Sequence, residues 1–180
     1  MTAEWILRPA SNFDGAEIAC LIDRIYREHG DRLAGRRGDR DLQALEEHYW
    51  RRGGAFVVLE SPHAWPNAGE IIGTAAMMPL PCIGAAVLRR FYVDSVFRHR
   101  GAGQHLMRWA IDWARLRGFE RIEFWSDSRF AKGHRFFERI GLQRRAEERE
   151  MNDGVKPYQE VLFSGAVAEI AAKIGKPAKF

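Results

Sequence analysis

Between Val93 and Gln104 the chain reads Val-Asp-Ser-Val-Phe-Arg-His-Arg-Gly-Ala-Gly-Gln. A run rich in β-branched and aromatic residues, Val87–Val93, precedes it and a helical repeat follows it. Leu106, Trp109, Ala110 and Trp113 recur at i, i+3, i+4 and i+7, so a helix begins near Ala102, and Gly118 closes it. Gly101 and Gly103 let the backbone approach a ligand closely. The first turn of a helix offers unpaired N–H groups and the positive end of its dipole, a site for phosphate or pyrophosphate. Arg98 and Arg100 are expected to add charge beside those amides. Two common phosphate motifs do not apply, because GxxxxGK[ST] is absent and GxGxxG would need glycine where Leu106 stands.

The rest of the chain supplies a single mixed domain. Its 180 residues, 46% of them hydrophobic, suffice for one substantial core. A first strand, Glu4–Arg8, leads to the capping pattern Ser11-x-x-Asp14 and a helix whose apolar face is Ile18, Leu21, Ile22, Ile25 and Tyr26. Residues 31–41, rich in Arg and Gly, read as a mobile connection to a second short helix marked by Leu42, Leu45 and Tyr49. Ala55–Leu59 and Glu70–Met78 form a hairpin with a loose loop containing Pro62, Pro66 and Asn67. The strand Arg121–Ser126, a helix Ala131–Ile140 and strands near Leu142–Met151 and Tyr158–Phe163 complete the order β α α β β β α β α β β. This is an α/β (α+β) fold, with helices flanking a mixed, largely antiparallel central sheet. The domain is expected over residues 1–165, with 166–180 as an appended amphipathic segment able to pack on a partner.

The pattern resembles the GNAT superfamily of acyl-CoA-dependent N-acyltransferases. Its R/Q-x-x-G-x-G/A motif is matched by Arg98-His99-Arg100-Gly101-Ala102-Gly103, and its L-K/R-R-hydrophobic-Y-V strand by Leu88-Arg89-Arg90-Phe91-Tyr92-Val93. A third element, the helix end Y-x-K/R-x-G-F, is matched by Phe137-Glu138-Arg139-Ile140-Gly141-Leu142. The resemblance implies acetyl-CoA as cosubstrate, with its pyrophosphate on the amides of Arg98, His99, Arg100, Gly101, Ala102, Gly103 and Gln104 and its pantetheine beside Phe91, Tyr92 and Val93. It also implies that the Val93 amide donates to the thioester carbonyl, where a fixed donor stabilises a developing oxyanion. Phe137 lines the same site, and Arg108, Lys132 or Arg135 would meet the 3′-phosphate. The expected activity is N-acetyl transfer from acetyl-CoA by direct attack of a primary amine. A catalytically weak acetyl-CoA-binding sensor is the alternative.

One departure bears on catalysis. The family often has a tyrosine acid where this chain has Phe137, and phenylalanine cannot donate a proton. A general acid is worth about 10²–10⁴ in rate, but a thiol of pKa about 8.5 leaves tolerably without one. Tyr158, Tyr92 and His134 are candidate replacements, His134 lying one helical turn from Phe137. Ile83–Val93 holds no carboxylate or histidine to act as base, which leaves Glu60, acting through water. His29, His48, His63, His99 and His105 form no HxxxH pair or ligand cluster, so no metal is expected. Ser126, Asp127 and Ser128 lack a GxSxG elbow.

Charge and cysteine usage bound the partners. The net charge is +4, but residues 89–145 carry 14 basic and 6 acidic residues, +8, against −4 elsewhere. That excess fits one phosphorylated coenzyme better than a nucleic acid, and Trp109 and Trp113 sit on the apolar helix face. The resemblance implies that the acceptor, a small-molecule or protein amine, enters between residues 31–49 and 151–159, where Arg36, Arg37 and Arg40 mix with Asp41, Glu46 and Glu47. Charge alone does not choose its sign. A homodimer accords with the resemblance. Cys20 and Cys82, 62 positions apart, read as two buried thiols in a reducing compartment. The charge-free stretch Ile71–Leu88 contains Gly73, Pro79, Pro81 and Gly84 and reads as two strands, so a cytoplasmic protein without membrane contact is expected.

Overall fold

A computed structural model describes residues 5–33, 37–62 and 68–175. Arg36, His63, Pro66 and Asn67 lie outside the described residues. Within those described, seven strands make one sheet: β1 (Ile6–Pro9), β2 (Ala55–Glu60), β3 (Ile71–Pro79), β4 (Ala85–Val93), β5 (Arg121–Asp127), β6 (Gln143–Met151) and β7 (Tyr158–Ala166). Their order is β1-β2-β3-β4-β5-β7-β6, antiparallel throughout except between β4 and β5. The charge-free stretch is the β3–β4 hairpin, as its prolines and glycines predict. The parallel step is bridged by α3 (Ala102–Leu116), the crossover that a parallel pair requires.

The two faces of the sheet are covered separately. On one lie α1 (Gly15–Arg27) and the single turn α2 (Leu45–His48), burying Ile18, Leu21, Ile22, Leu45 and Tyr49 against Phe56, Val58 and Ala76. On the other lie α3, α4 (Ala131–Arg139) and α5 (Val167–Ile174), with Met107, Ala110, Ile122, Phe124, Phe137 and Phe163 in one cluster. With both faces covered, β2 reads as an unbroken apolar run whose first five residues are all buried.

Three local expectations are revised. Of the connection expected to be mobile, Arg37–Gln43 form a 3₁₀ turn and Asp31 and Asp41 are buried. The segment 166–180 contains α5, whose Val167, Ile170 and Ile174 enter the same apolar cluster as α3. Cys20 and Cys82 are both exposed. Cys20 occupies the outward face of α1, opposite Ile18 and Leu21, and Cys82 lies in the β3–β4 turn, so neither residue's apolar character was used in the core.

Candidate active site

β4 and β5 pair only over Ala85–Val87 and Arg121–Glu123. Beyond that the two strands diverge, and the reason lies in β4. Thr74 faces Tyr92 and Ala76 faces Arg89, so Arg90 and Phe91 together oppose Ala75 in a β-bulge. Arg90 takes φ +52°, and the Thr74 hydroxyl donates to its carbonyl at 2.6 Å. Such a bulge bends and twists its strand. The opening is a cavity of about 90 Å³ between residues 88–92 of β4 and 124–127 of β5, with Phe137, Tyr26 and Tyr158 on its walls.

At the carboxyl end of β4 the chain makes a candidate anion cradle. Asp94 accepts from the Val96 amide at 3.0 Å and starts a 3₁₀ turn, Ser95–Phe97. His99 at φ +62° and Gly101 at φ +95° then reverse the chain into α3. The amides of Ala102, Gly103 and Gln104 belong to the first helical turn and have no acceptor within the helix. A Cβ at Gly103 would make ordinary van der Waals contact with Phe136 at 3.8 Å and Val93 at 4.0 Å. Asp94 N donates to Ile72 O at 2.8 Å, which makes the adjacent Val93–Gly73 pair a non-hydrogen-bonded one. The Val93 N–H therefore points away from β3, toward the gap left by β5.

The two arginines of this turn act differently from the expectation that they face a phosphate. Arg98 donates from Nε to Val93 O at 2.9 Å and holds Glu28 at 2.5 and 3.0 Å, tying the turn to the end of α1. Arg100 Nε donates to Val96 O at 3.0 Å. Their guanidinium groups brace the backbone, and the backbone amides remain the cradle. Arg108, a 3′-phosphate candidate, donates to Ile174 O at 3.4 Å.

The opposite end of the cleft is built from side chains. Arg90, its side chain only 8% exposed, binds Asp41 and also Asp39, the latter at 2.8 Å; the Tyr49 hydroxyl donates to Asp41. Burial alone would raise the Asp41 carboxyl, and the Arg90 hydrogen bonds and charge hold it below its ordinary range. Across the cleft, Arg129 binds Asp127 at 2.5 Å and Asp31 at 2.9 Å. Asp31 also accepts from the Val155 amide at 3.0 Å, and the Arg129 guanidinium lies 4.7 Å over the Tyr158 ring. Between these clusters the hydroxyls of Tyr26 and Tyr92 are 2.9 Å apart. Burial raises both phenols above their ordinary pKa, so both stay protonated near neutrality.

The acetyltransferase (GNAT) family profile matches residues 22–142, two thirds of the sequence. The chain belongs to the GNAT family. Among solved structures, a GNAT-family acetyltransferase from Staphylococcus aureus Mu50 is 16% identical, with 91% of this chain and 99% of that one covered and a TM-score of 0.75. An acetyltransferase from Streptococcus agalactiae 2603 is 17% identical, covering 90% and 98%, with a TM-score of 0.72. A putative acetyltransferase from Salmonella typhimurium, solved with its cofactor acetyl-CoA, is 16% identical over 91% and 94% of the chains, with a TM-score of 0.66. No curated protein matches the sequence. This GNAT protein is an acyl-CoA-dependent N-acyltransferase with acetyl-CoA as cosubstrate, and the amide cradle beside a diverging strand suits that coenzyme's phosphates and extended arm.

The candidate catalytic residues of this GNAT enzyme fall in different places. Tyr92 and Tyr158 line the cleft, and Tyr158 donates to Asp153 at 2.9 Å. Glu60 sits between β1 and β3, bound to Arg8 at 2.6 Å and outside the cleft lining. His134 is buried, with Nε2 3.0 Å from the Ser126 hydroxyl and its ring 4.9 Å from Phe163. Burial holds its pKa below the ordinary value, and it does not reach the cleft surface. Phe137 packs against Phe124, Phe163 and Phe91 at 4.8, 5.6 and 5.7 Å. Tyr26 also lines the cleft but belongs to no motif, so its signal is spatial. No helix is long and apolar enough to cross a membrane, and no three His, Cys, Asp or Glu side chains group as metal ligands, both among the described residues.

Proposed function

We propose that this enzyme is an N-acetyltransferase that acetylates a primary amine, on a small molecule or a protein, by direct attack. The observation that carries this reading is the opened β4–β5 pair, with the amide cradle at one end and a protonated tyrosine pair at the other. Acetyl-CoA supplies the activated acyl group. The amides of residues 98–104 bind its pyrophosphate, while the N–H of Val93 faces the gap where negative charge develops on the acyl oxygen. Phe91, Phe124 and Phe137 keep the gap dry and the donor undiluted by water.

Tyr92 takes the place of the missing tyrosine at Phe137. With the Tyr26 hydroxyl donating to Tyr92, the Tyr92 O–H is the one that serves the leaving sulfur. A phenol held protonated by burial serves as an acid, not as a base. Tyr92→Phe is expected to lower kcat while leaving acetyl-CoA affinity unchanged. Measuring CoA release over a panel of amines tests the whole reading. Saturable turnover with at least one amine supports it, whereas tight acetyl-CoA binding with no turnover on any amine would mark a sensor.

A further inference from the structure

The β4 bulge opens the sheet and also changes which side chains face the cleft. An ordinary strand sends successive side chains to opposite faces, but here the extra residue puts Arg89 and Arg90 on the same face as Tyr92. Leu88 and Phe91 pack into the apolar cluster on the other side. Arg89 and Arg90 both act electrostatically on Asp41 and Tyr49. Their surroundings otherwise differ. Arg90 is buried and bound by two aspartates. Arg89 is exposed, lines the cleft, and makes no ion pair or hydrogen bond among the described residues. The neighbouring guanidinium groups are all engaged, Arg129 by Asp31 and Asp127 and Arg149 by Glu160.

A free cation on the acceptor wall is a disadvantage to an enzyme that takes a plain amine. It repels the ammonium form of that substrate, more strongly in a partly desolvated cleft than in water. The disadvantage disappears when the substrate brings its own anion. We propose that Arg89 is a specificity-determining residue and that the acceptor is an amine that also carries a carboxylate. The planar fork of a guanidinium matches a carboxylate with two parallel hydrogen bonds. On the opposite wall Asp127 and Glu160 are paired with Arg129 and Arg149, so it is Arg89 that brings an unpaired charge to the cleft.

This inference rests on the acetyl-transfer reading, and paired substrates keep the two separable. Lysine with 1,5-diaminopentane, phenylalanine with 2-phenylethylamine, and methionine with 3-(methylthio)propylamine each differ by a carboxylate alone. The wild-type enzyme is expected to favour the carboxylate member of at least one pair by about 10–100-fold in kcat/KM, the worth of a charge-assisted hydrogen bond. Arg89→Gln should bring that ratio close to one with acetyl-CoA affinity unchanged, and Arg89→Lys should restore some of it. Turnover with equal rates within every pair, a preference for the decarboxylated members, or an Arg89→Gln loss that appears equally in acetyl-CoA affinity would each overturn the assignment. A preference for O-phosphoethanolamine over ethanolamine with no carboxylate preference would do so too. Should acetyl-CoA bind and no amine in any pair release CoA, acetyl transfer itself falls and takes this inference with it.

Discussion

The two ends of the cleft solve different problems with different materials. The end proposed for the coenzyme is made of backbone: seven consecutive residues, 98–104, with Gly101 at φ +95° turning the chain into α3. The end proposed for the acceptor is bordered by side chains drawn from far apart, with Asp31 and Arg129 separated by 98 positions, Tyr26 and Tyr92 by 66, and Asp41 and Arg90 by 49. A pyrophosphate needs several donors in fixed geometry, and amides supply them whatever the side chains are. An acceptor needs discrimination, which only side chains provide. The difference teaches that a backbone site can be encoded in one short segment, whereas a side-chain site has to be assembled from distant ones.

The sharpest way to break this division is Gly103→Asp. A carboxylate in the first turn of a helix favours the free protein by about 0.3–1 kcal/mol, yet it opposes an anion at the cradle. Acetyl-CoA affinity should fall by about 10³-fold, roughly three tenfold steps of 1.4 kcal/mol, while Tm holds or rises. A parallel fall in Tm would mean that the substitution had damaged the fold and the cradle was not backbone-built. Tyr92→Phe tests the other end. It should lower kcat about 10²-fold, the lower range for a lost general acid, with the acetyl-CoA dissociation constant unmoved, as isothermal titration would register.

Arg129→Met leaves Asp31 and Asp127 without their cation. Breaking a buried pair costs about 3–5 kcal/mol, and since the Arg129 side chain is 28% exposed the loss should be smaller, about 1–3 kcal/mol in urea unfolding. The KM for the amine should rise with it and the coenzyme affinity should not. The smallest effect is expected at His134. Its folded pKa lies below the ordinary 6.5 through burial, so the unfolded chain binds the proton more readily. Stability is therefore complete above pH 6.5 and is lost as pH falls toward the folded value. His29 and His105 are shifted in the same direction and contribute alike. His134→Gln should remove less than about 1 kcal/mol of this acid sensitivity while kcat stays within a factor of two or so; a large loss of kcat would return His134 to the chemistry.

The charge count shows how far a linear reading reaches. The +8 excess over residues 89–145 pointed to the coenzyme, but Arg90, Arg98 and Arg129 each bind carboxylates from the acidic remainder of the chain. Much of the segregated charge is folding glue between that segment and the remainder. Likewise the Ser11–Asp14 pattern correctly marks the entry to α1, where Asp14 accepts from the Ser11 amide at 2.7 Å. Glu60, plausible as a strand-end carboxylate, is instead engaged by Arg8, a partner that no local pattern announces.

What the sequence by itself determined is everything set by short-range geometry: the order of strands and helices, the apolar faces at periods of two and 3.6, and the glycine-bearing turn with its helix. Tertiary structure decided which strands diverge, which arginine is neutralised and which is left free, and which tyrosines meet. The physical reason is range. Backbone conformation and amphipathic burial follow from neighbours a few residues away, whereas an ion pair or a hydroxyl contact depends on where the whole sheet delivers residues dozens of positions apart, and a single bulged residue in β4 shifts that delivery.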